Sequence, residues 1–498
     1  MRGRVVIRGA MESTDAPEPA SASPPAPAAP PAPAAPAGPR PWYRRVSVVL
    51  FLVSLGVFSA FAGPRVLMHS ADNHFVYLAD AFLHGQAELT RKPHHQNDWA
   101  SYEVQPLKGA SAETYGESVK GFFTKRGGKP NEFRLLSGEE ITIPPGDRGT
   151  AERKYFVSFP PFPGVAMMPF VAVSGFGAND VLFTALCAAL NVLLIFVLLR
   201  KLAALGYSQR SEREDLWLTA MMGFGSVHLW CSVLGQVWFS ALIVGVSCNL
   251  AYIYFSLDAR RPFLAGLAMA AAFSTRASLL FASVFFVHQV FFPGHGQRPD
   301  ARGIVRKLAL FGLPCVVTGL LLLVYNYVRF ENPTEFGHTY LATGTIARIR
   351  DFGLFNLHFL SRNLTAAFTL VPSIDGDVPY LHLSKHGMSL FLTTPPLIWL
   401  LWPQRRHVLS RGFALTALTI AVPIFFYQNT GWEQYGFRFS LDFMPYLVGL
   451  LALGGRPINR TFKTMIIVGM LVNALGAVTF KRGGMDKLYN DYLCEEPK

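Results

Sequence analysis

A charged side chain at the edge of a bilayer is costly to place, so an acid at the end of an apolar run marks a candidate functional position. Asp72 is the first such residue: it follows the apolar run Val46–Ala62 and opens the segment Asp72-Asn73-His74-Phe75-Val76-Tyr77-Leu78-Ala79. A carboxylate there could take a proton from a reacting group. It could equally cap the helix that follows, since Phe75, Leu78, Ala79 and Phe82 fall on one helical face. Two arginines complete the leading set. Arg276 lies at the tip of a short apolar hairpin with no acid near it in sequence, and Arg438 lies beside the entrance of a late apolar run. Guanidinium groups at head-group level suit a phosphate-like anion. Their ordinary uses are an ion pair with a loop carboxylate or snorkelling to the interface, and Glu433 and Asp442 flank Arg438 as ready partners. Asp80, Tyr155, His338, Tyr340 and Glu433 are further candidates for lining a site. No metal site is expected, because His84, His94 and His95 lack ligand spacing. Cys187, Cys231, Cys248 and Cys315 fall within apolar runs and Cys494 near the end, which implies no disulfide framework.

The elements that must position these residues are membrane spans. Of 498 residues, 51% are hydrophobic and 15% charged, against roughly 25% charged in a soluble domain. The apolar residues are bunched into runs, as a bilayer requires when each segment must satisfy its own backbone. The net charge of +13 comes from basic pairs at the ends of these runs, such as Arg200 with Lys201, Arg260 with Arg261 and Arg405 with Arg406. That placement indicates positive-inside topology, not nucleic-acid binding. The expected fold is all-α integral membrane: a polytopic bundle of about 11 transmembrane helices. The spans are Val46–Ala62, Val181–Leu199, Leu216–Leu234, Trp238–Phe255, a pair within Phe263–Phe292, Leu308–Tyr325, Gly387–Trp402, Phe413–Tyr427, Phe443–Leu453 and Met465–Phe480. Phe162–Ser174 is apolar but too short to cross and rich in Pro and Gly.

Residues 1–45 read as a disordered Ala/Pro-rich cytoplasmic tail, 46–480 as the membrane domain and 481–498 as a short C-terminal tail. The first run also fits a cleavable signal peptide, but its length favours a retained helix. Residues 67–160 form a large first extracytoplasmic loop expected to bear interfacial helices, and 326–385 a second. The first loop returns through Lys154–Gly164, where Pro160-Pro161 stops a helix and sets an extended entry.

An outer acid after the first span, a long outward loop and a Tyr-x-x-x-x-Pro-Pro return, in that order, resemble the C-type glycosyltransferases. That superfamily includes protein O-mannosyltransferases and lipid A aminoarabinose transferases. Asp72–Gly85 is similar to its first-loop acid segment, Phe159–Leu202 to its Pro-Pro helix and following span, Gly266–Arg276 to a Thr-Arg hairpin, and Trp432–Pro445 to a Tyr-Gly-x-Arg segment. The resemblance implies transfer of a sugar from a polyprenyl-phosphate-linked donor to a lipid, glycan or protein acceptor. Asp72 would be the general base, and Arg438 and Arg276 would bind the donor phosphate. No cofactor and no nucleic acid is implied; the location would be a bacterial inner (plasma) membrane, with the site facing outward. One departure stands out: where several members carry a further acid after the third span, this chain has Gln236, so either Asp80, Glu88 or Asp98 assists Asp72 or the enzyme runs on one carboxylate. The competing functions are a lipid or polysaccharide transporter and a non-catalytic lipid-binding relative. The chain carries no internal repeat and no acid near the middle of an expected span, which argues against coupled transport.

Overall fold

The structure is a computed structural model that describes residues 46–95, 97–123, 131–295, 298–341, 346–376 and 378–493. The expected tail 1–45 and residues 494–498 lie outside the described residues. Among the described residues, six helices are long and apolar enough to cross a membrane: Val46–Leu67, Asp180–Ala204, Val237–Ala259, Ala301–Phe330, Val408–Phe425 and Arg460–Thr479. The chain is therefore an integral membrane protein. Five shorter apolar helices accompany them, among them His74–Leu83, Pro262–Phe273 and Met444–Leu453.

Six helices of full spanning length stand against the expected eleven or so among the described residues, and for two of the expected spans the difference has a local cause. The expected span Leu216–Leu234 is interrupted between the helices Glu212–Gly223 and His228–Cys231. Gly225 lies in the break, where the chain is crowded: a Cβ there would lie 3.2 Å from the Ile466 carbonyl oxygen. The expected span Gly387–Trp402 is likewise split into a helix Leu390–Thr393 and a 3-10 turn Pro395–Leu401. Pro395 and Pro396 supply no backbone N–H, so the regular ladder cannot run through them.

The second correction concerns fold class. The first loop is not purely helical; it carries a five-stranded antiparallel sheet of order β4-β3-β2-β1-β5. Its strands are β1 (Trp99–Pro106), β2 (Ser118–Phe123), β3 (Glu132–Leu135), β4 (Glu140–Thr142) and β5 (Glu152–Val157). Val119, Phe133 and Ile141 point to one side and pack with Leu107 and Ile143, while charged residues alternate between them. That period of two keeps the mean hydropathy of the segment low, so a search for apolar runs passes over it. Gly121 is required by pairing, since a Cβ there would sit 1.9 Å from the Arg134 carbonyl oxygen.

Helix His74–Leu83 is the expected interfacial helix, and it lies directly against the helix Phe162–Ser174. The approach is close enough that a Cβ on Gly164 would meet Leu78 Cδ2 at 2.8 Å. In β1 and β5, Trp99 pairs with Val157 and Tyr102 with Lys154, so the Pro-Pro return and the sheet are tied together at one end. That end lies over Asp72: the Trp99 ring stacks on His74 with centroids 3.7 Å apart.

Candidate active site

Asp72 precedes the helix His74–Leu83 but does not cap it. The N-cap position belongs to Asn73, whose side chain makes no capping bond. The buried Asp72 carboxylate is instead held from two distant parts of the chain. Asn97 Nδ2, just before β1, donates to Oδ1 at 3.1 Å, and Gln236 Nε2, at the start of the helix Val237–Ser256, donates to Oδ2. The Val237 N–H donates to the Asp72 carbonyl at 3.0 Å, which fixes the backbone as well. Gln236, the residue that replaces an expected acid, thus orients the acid that remains. His95 Nε2 donates to the Ala71 carbonyl at 2.8 Å and stands 3.6 Å from Asp72 Oδ1.

A second carboxylate, Asp98, reaches the same place from the start of β1. Its Oδ2 accepts from the Trp238 indole N–H at 2.8 Å, so the two residues after Gln236 serve both acids. Burial pushes the Asp98 carboxyl above its ordinary value, and the neighbouring Asp72 charge pushes the same way; the Trp238 bond, His338 and Arg438 oppose it. Asp98 adopts φ 55°, a left-handed conformation that Asp enters more readily than most residues. His74, beneath the pair, is pushed down to about 4 chiefly by burial. It is therefore neutral at pH 7, with Nε2 donating to the Asn97 carbonyl at 3.0 Å.

The cations arrive from late in the chain. Arg438 opens the 3-10 turn Arg438–Asp442 and is 5% exposed. Its guanidinium lies over the rings of Phe239 and Phe439, 5.0 and 5.5 Å from their centroids. Nη1 makes a 3.4 Å contact to the Glu433 carbonyl, while Nε has no partner. Arg438 is in no ion pair among the described residues, and burial pushes it down to about 10. Arg276 follows the helix Pro262–Phe273 and approaches the same Phe439 ring at 5.3 Å. Unlike Arg438 it is paired, with Nε 2.7 Å from Asp442 Oδ1, and Ser278 Oγ donates to the other oxygen at 2.6 Å. Tyr427 completes the ring's surroundings, 6.3 Å from Phe439, with its hydroxyl influenced by Asp98, Arg276 and Arg438.

Lys481, just past the helix Arg460–Thr479, bridges the two halves. It lies over Trp238 at 5.1 Å, stands 3.6 Å from Glu433, and feels the charges of both Asp72 and Arg438. Glu433 also faces Lys385 at 3.8 Å.

Asp72, Asp98, His338, Glu433, Arg438 and Arg276 thus gather at the loop end of the bundle. Asp80 does not join them: its carboxylate accepts from Thr90 and faces His84 at 3.7 Å. Glu88 is occupied by Lys154 at 2.7 Å. Tyr155 is packed in the hydrophobic cluster of Phe75, Leu78 and Trp99. Tyr340 stacks on Phe330 and donates to the Leu136 carbonyl, away from the acids. Of the three assisting acids considered for Asp72, Asp98 is the one brought beside it. Lys481, Asn97, Trp238 and Tyr427 were not singled out from sequence. Lys481 had a usable signal, because a basic residue at the end of a span that the charge pattern expects to face outward runs against the positive-inside pattern.

Asp72 and Asp98 are each engaged by neutral N–H donors, and among the described residues no three His, Cys, Asp or Glu side chains group as metal ligands.

No protein-family model and no curated protein matches the chain. Among solved structures it is similar to the oligosaccharyltransferase of Archaeoglobus fulgidus. The apo form gives a TM-score of 0.39 at 10% identity, over 90% of this chain and 59% of that one. The same enzyme with an inhibitory peptide and a dolichol-phosphate gives 0.43 at 9% identity, over 88% and 56%. A form tethered to an acceptor peptide gives 0.43 at 10%, over 88% and 56%. The chain therefore spans less than three fifths of the length of these structures.

Proposed function

We propose that the chain is a membrane glycosyltransferase that moves a sugar from a polyprenyl-phosphate-linked donor to a lipid, glycan or protein acceptor, with Asp72 as general base. One observation carries the reading: a buried carboxylate held by two neutral amide donors faces a cluster in which Arg438 is a buried guanidinium in no ion pair. In the transfer, an acceptor O–H or N–H gives its proton to Asp72 as the acceptor atom bonds to the anomeric carbon. The bond from that carbon to the phosphate oxygen breaks, and the phosphate leaves with the electron pair. Arg438 and Lys481 stabilise its developing negative charge, and Arg276 supports them from across Phe439. Asn97 and Gln236 keep the base in one orientation, and Asp98 and His338 line the acceptor side. The side of the bundle bearing the first loop faces outward, in keeping with basic pairs at the other ends of the spans.

The test is transfer from a polyprenyl-phosphate sugar in reconstituted membranes. Asp72→Asn keeps the shape of the side chain and removes the base, and transfer should fall by about 10²–10⁴-fold. Transfer at the wild-type rate in that variant would sink the mechanism. A transporter would move its substrate without forming a new glycosidic bond.

A further inference from the structure

At the opposite end of the bundle lies a cavity of about 330 Å³ whose lining contains five arginines and no Asp or Glu. Its position follows from the helices. Val408–Phe425 starts at the cavity, where Ser410 and Arg411 line it, and ends two residues before Tyr427. Arg460–Thr479 starts beside Phe462, another lining residue, and ends two residues before Lys481. A helix of that length covers about 30 Å, one hydrocarbon thickness. The cavity therefore opens at the other membrane surface from Asp72.

Arg210 forms its floor. Its side chain is 8% exposed; Nη1 meets Glu214 at 3.2 Å and Nη2 donates to the Leu451 carbonyl at 3.0 Å, but Nε is buried with no partner. Ser410 Oγ is also buried and unpartnered. Arg456 donates to the Trp402 carbonyl, and among the described residues Arg405, Arg406 and Arg411 enter no ion pair. Among the described residues, four of the five arginines are thus in no ion pair. The other wall is apolar: Trp399 and Phe462 pack edge to face at 5.5 Å, beside Leu400 and Leu450. Leu401 and Trp402 continue that surface outward at 60% and 57% exposure.

We propose that this cavity binds the phosphate of an anionic phospholipid from the leaflet opposite Asp72. Guanidinium groups recognise phosphodiester oxygens in pairs, and basic pockets between spans hold anionic head groups. The apolar wall receives the first methylenes of the acyl chains, which a soluble phosphate lacks. A bound lipid would tie together the near ends of Val408–Phe425, Met444–Leu453 and Arg460–Thr479. The far ends of those helices carry or adjoin Tyr427, Arg438 and Lys481, but the assignment stands on the cavity alone and does not depend on the proposed transfer.

The experiment is native mass spectrometry of the full chain, purified in detergent and given phosphatidylglycerol, phosphatidylcholine or glycerol 3-phosphate. Wild type should retain phosphatidylglycerol over phosphatidylcholine, and Arg405→Gln with Arg411→Gln should reduce that retention by at least about tenfold, at roughly 1 kcal/mol per basic residue. Arg438→Gln, at the other surface, should retain it as wild type does. If the double variant cannot be purified, Arg406→Gln, an exposed side chain, makes the same comparison with a smaller loss. Equal retention by variant and wild type, equal retention of the two lipids, loss in Arg438→Gln alone, or displacement by equimolar glycerol 3-phosphate would each overturn the assignment.

Discussion

Arg438 and Arg276 approach the same phenylalanine ring, yet their replacement should have opposite effects on stability. Arg438 is buried in no ion pair, and burial moves it from its ordinary 12.5 to about 10. At pH 7 it is charged in both folded and unfolded chains, so the fold carries the full cost of burying that charge. At about 1.4 kcal/mol per pH unit, this cost is on the order of 3 kcal/mol. Arg438→Met replaces it with an apolar side chain and should relieve most of that cost, leaving the chain about 1–3 kcal/mol more stable. Arg276→Met leaves Asp442, which is 1% exposed, without its cation. Breaking a buried pair in that way should destabilise by about 3–5 kcal/mol. Activity should not follow the same order. If Arg438 stabilises the leaving phosphate, Arg438→Met should lose about 10²–10³ in kcat/KM for the lipid-linked donor despite its higher Tm. Thermal unfolding in detergent and donor-dependent transfer, measured on the same preparations, decide the matter. A lower Tm together with unchanged transfer in Arg438→Met would show that the arginine is structural and would refute the reasoning.

Two further outcomes concern protonation. The folded-state value of Asp98 is raised by burial, so ionising it opposes folding; the wild-type chain should lose stability as pH rises through that value, whereas Asp98→Asn should be flat there and more stable at pH 7. Matching pH profiles of Tm would dismiss this account of Asp98. His74 sits near 4 when folded and near 6.5 when unfolded, so its contribution is complete above about 6.5 and is lost as pH falls toward 4. His74→Phe, which preserves a ring against Trp99, should weaken that acid-side loss, and an unchanged slope between pH 6.5 and 4 would count against it.

What the amino-acid sequence determined by itself was set by long-range composition and by charge at the ends of apolar runs. Asp72, Arg276 and Arg438 were legible because charge at membrane depth is rare, and the helix His74–Leu83 because its apolar face repeats at helical spacing. The sheet was not legible. Its apolar residues alternate with charged ones, and strand pairings such as Glu103 with Gly121 join positions that no local window connects. The breaks within Leu216–Leu234 and Gly387–Trp402 also escaped the sequence, because hydropathy registers an apolar run whether or not a Gly or Pro-Pro break divides it.

Only the tertiary structure decided what each charged group does. The sequence allowed Asp72 to cap the helix that follows, but the N-cap position belongs to Asn73, and the Asp72 oxygens are held instead by Asn97 and Gln236, 25 and 164 positions away. Arg276 and Arg438 look alike in sequence, but one is neutralised by Asp442 and the other is not. Lys481 had been assigned to a tail, yet it lies between Asp72 and Arg438 because the last span ends beside the first loop. A residue's type sets which interactions it can make. Which of them it does make depends on neighbours brought from distant parts of the chain, and on how far the packing removes each charge from water.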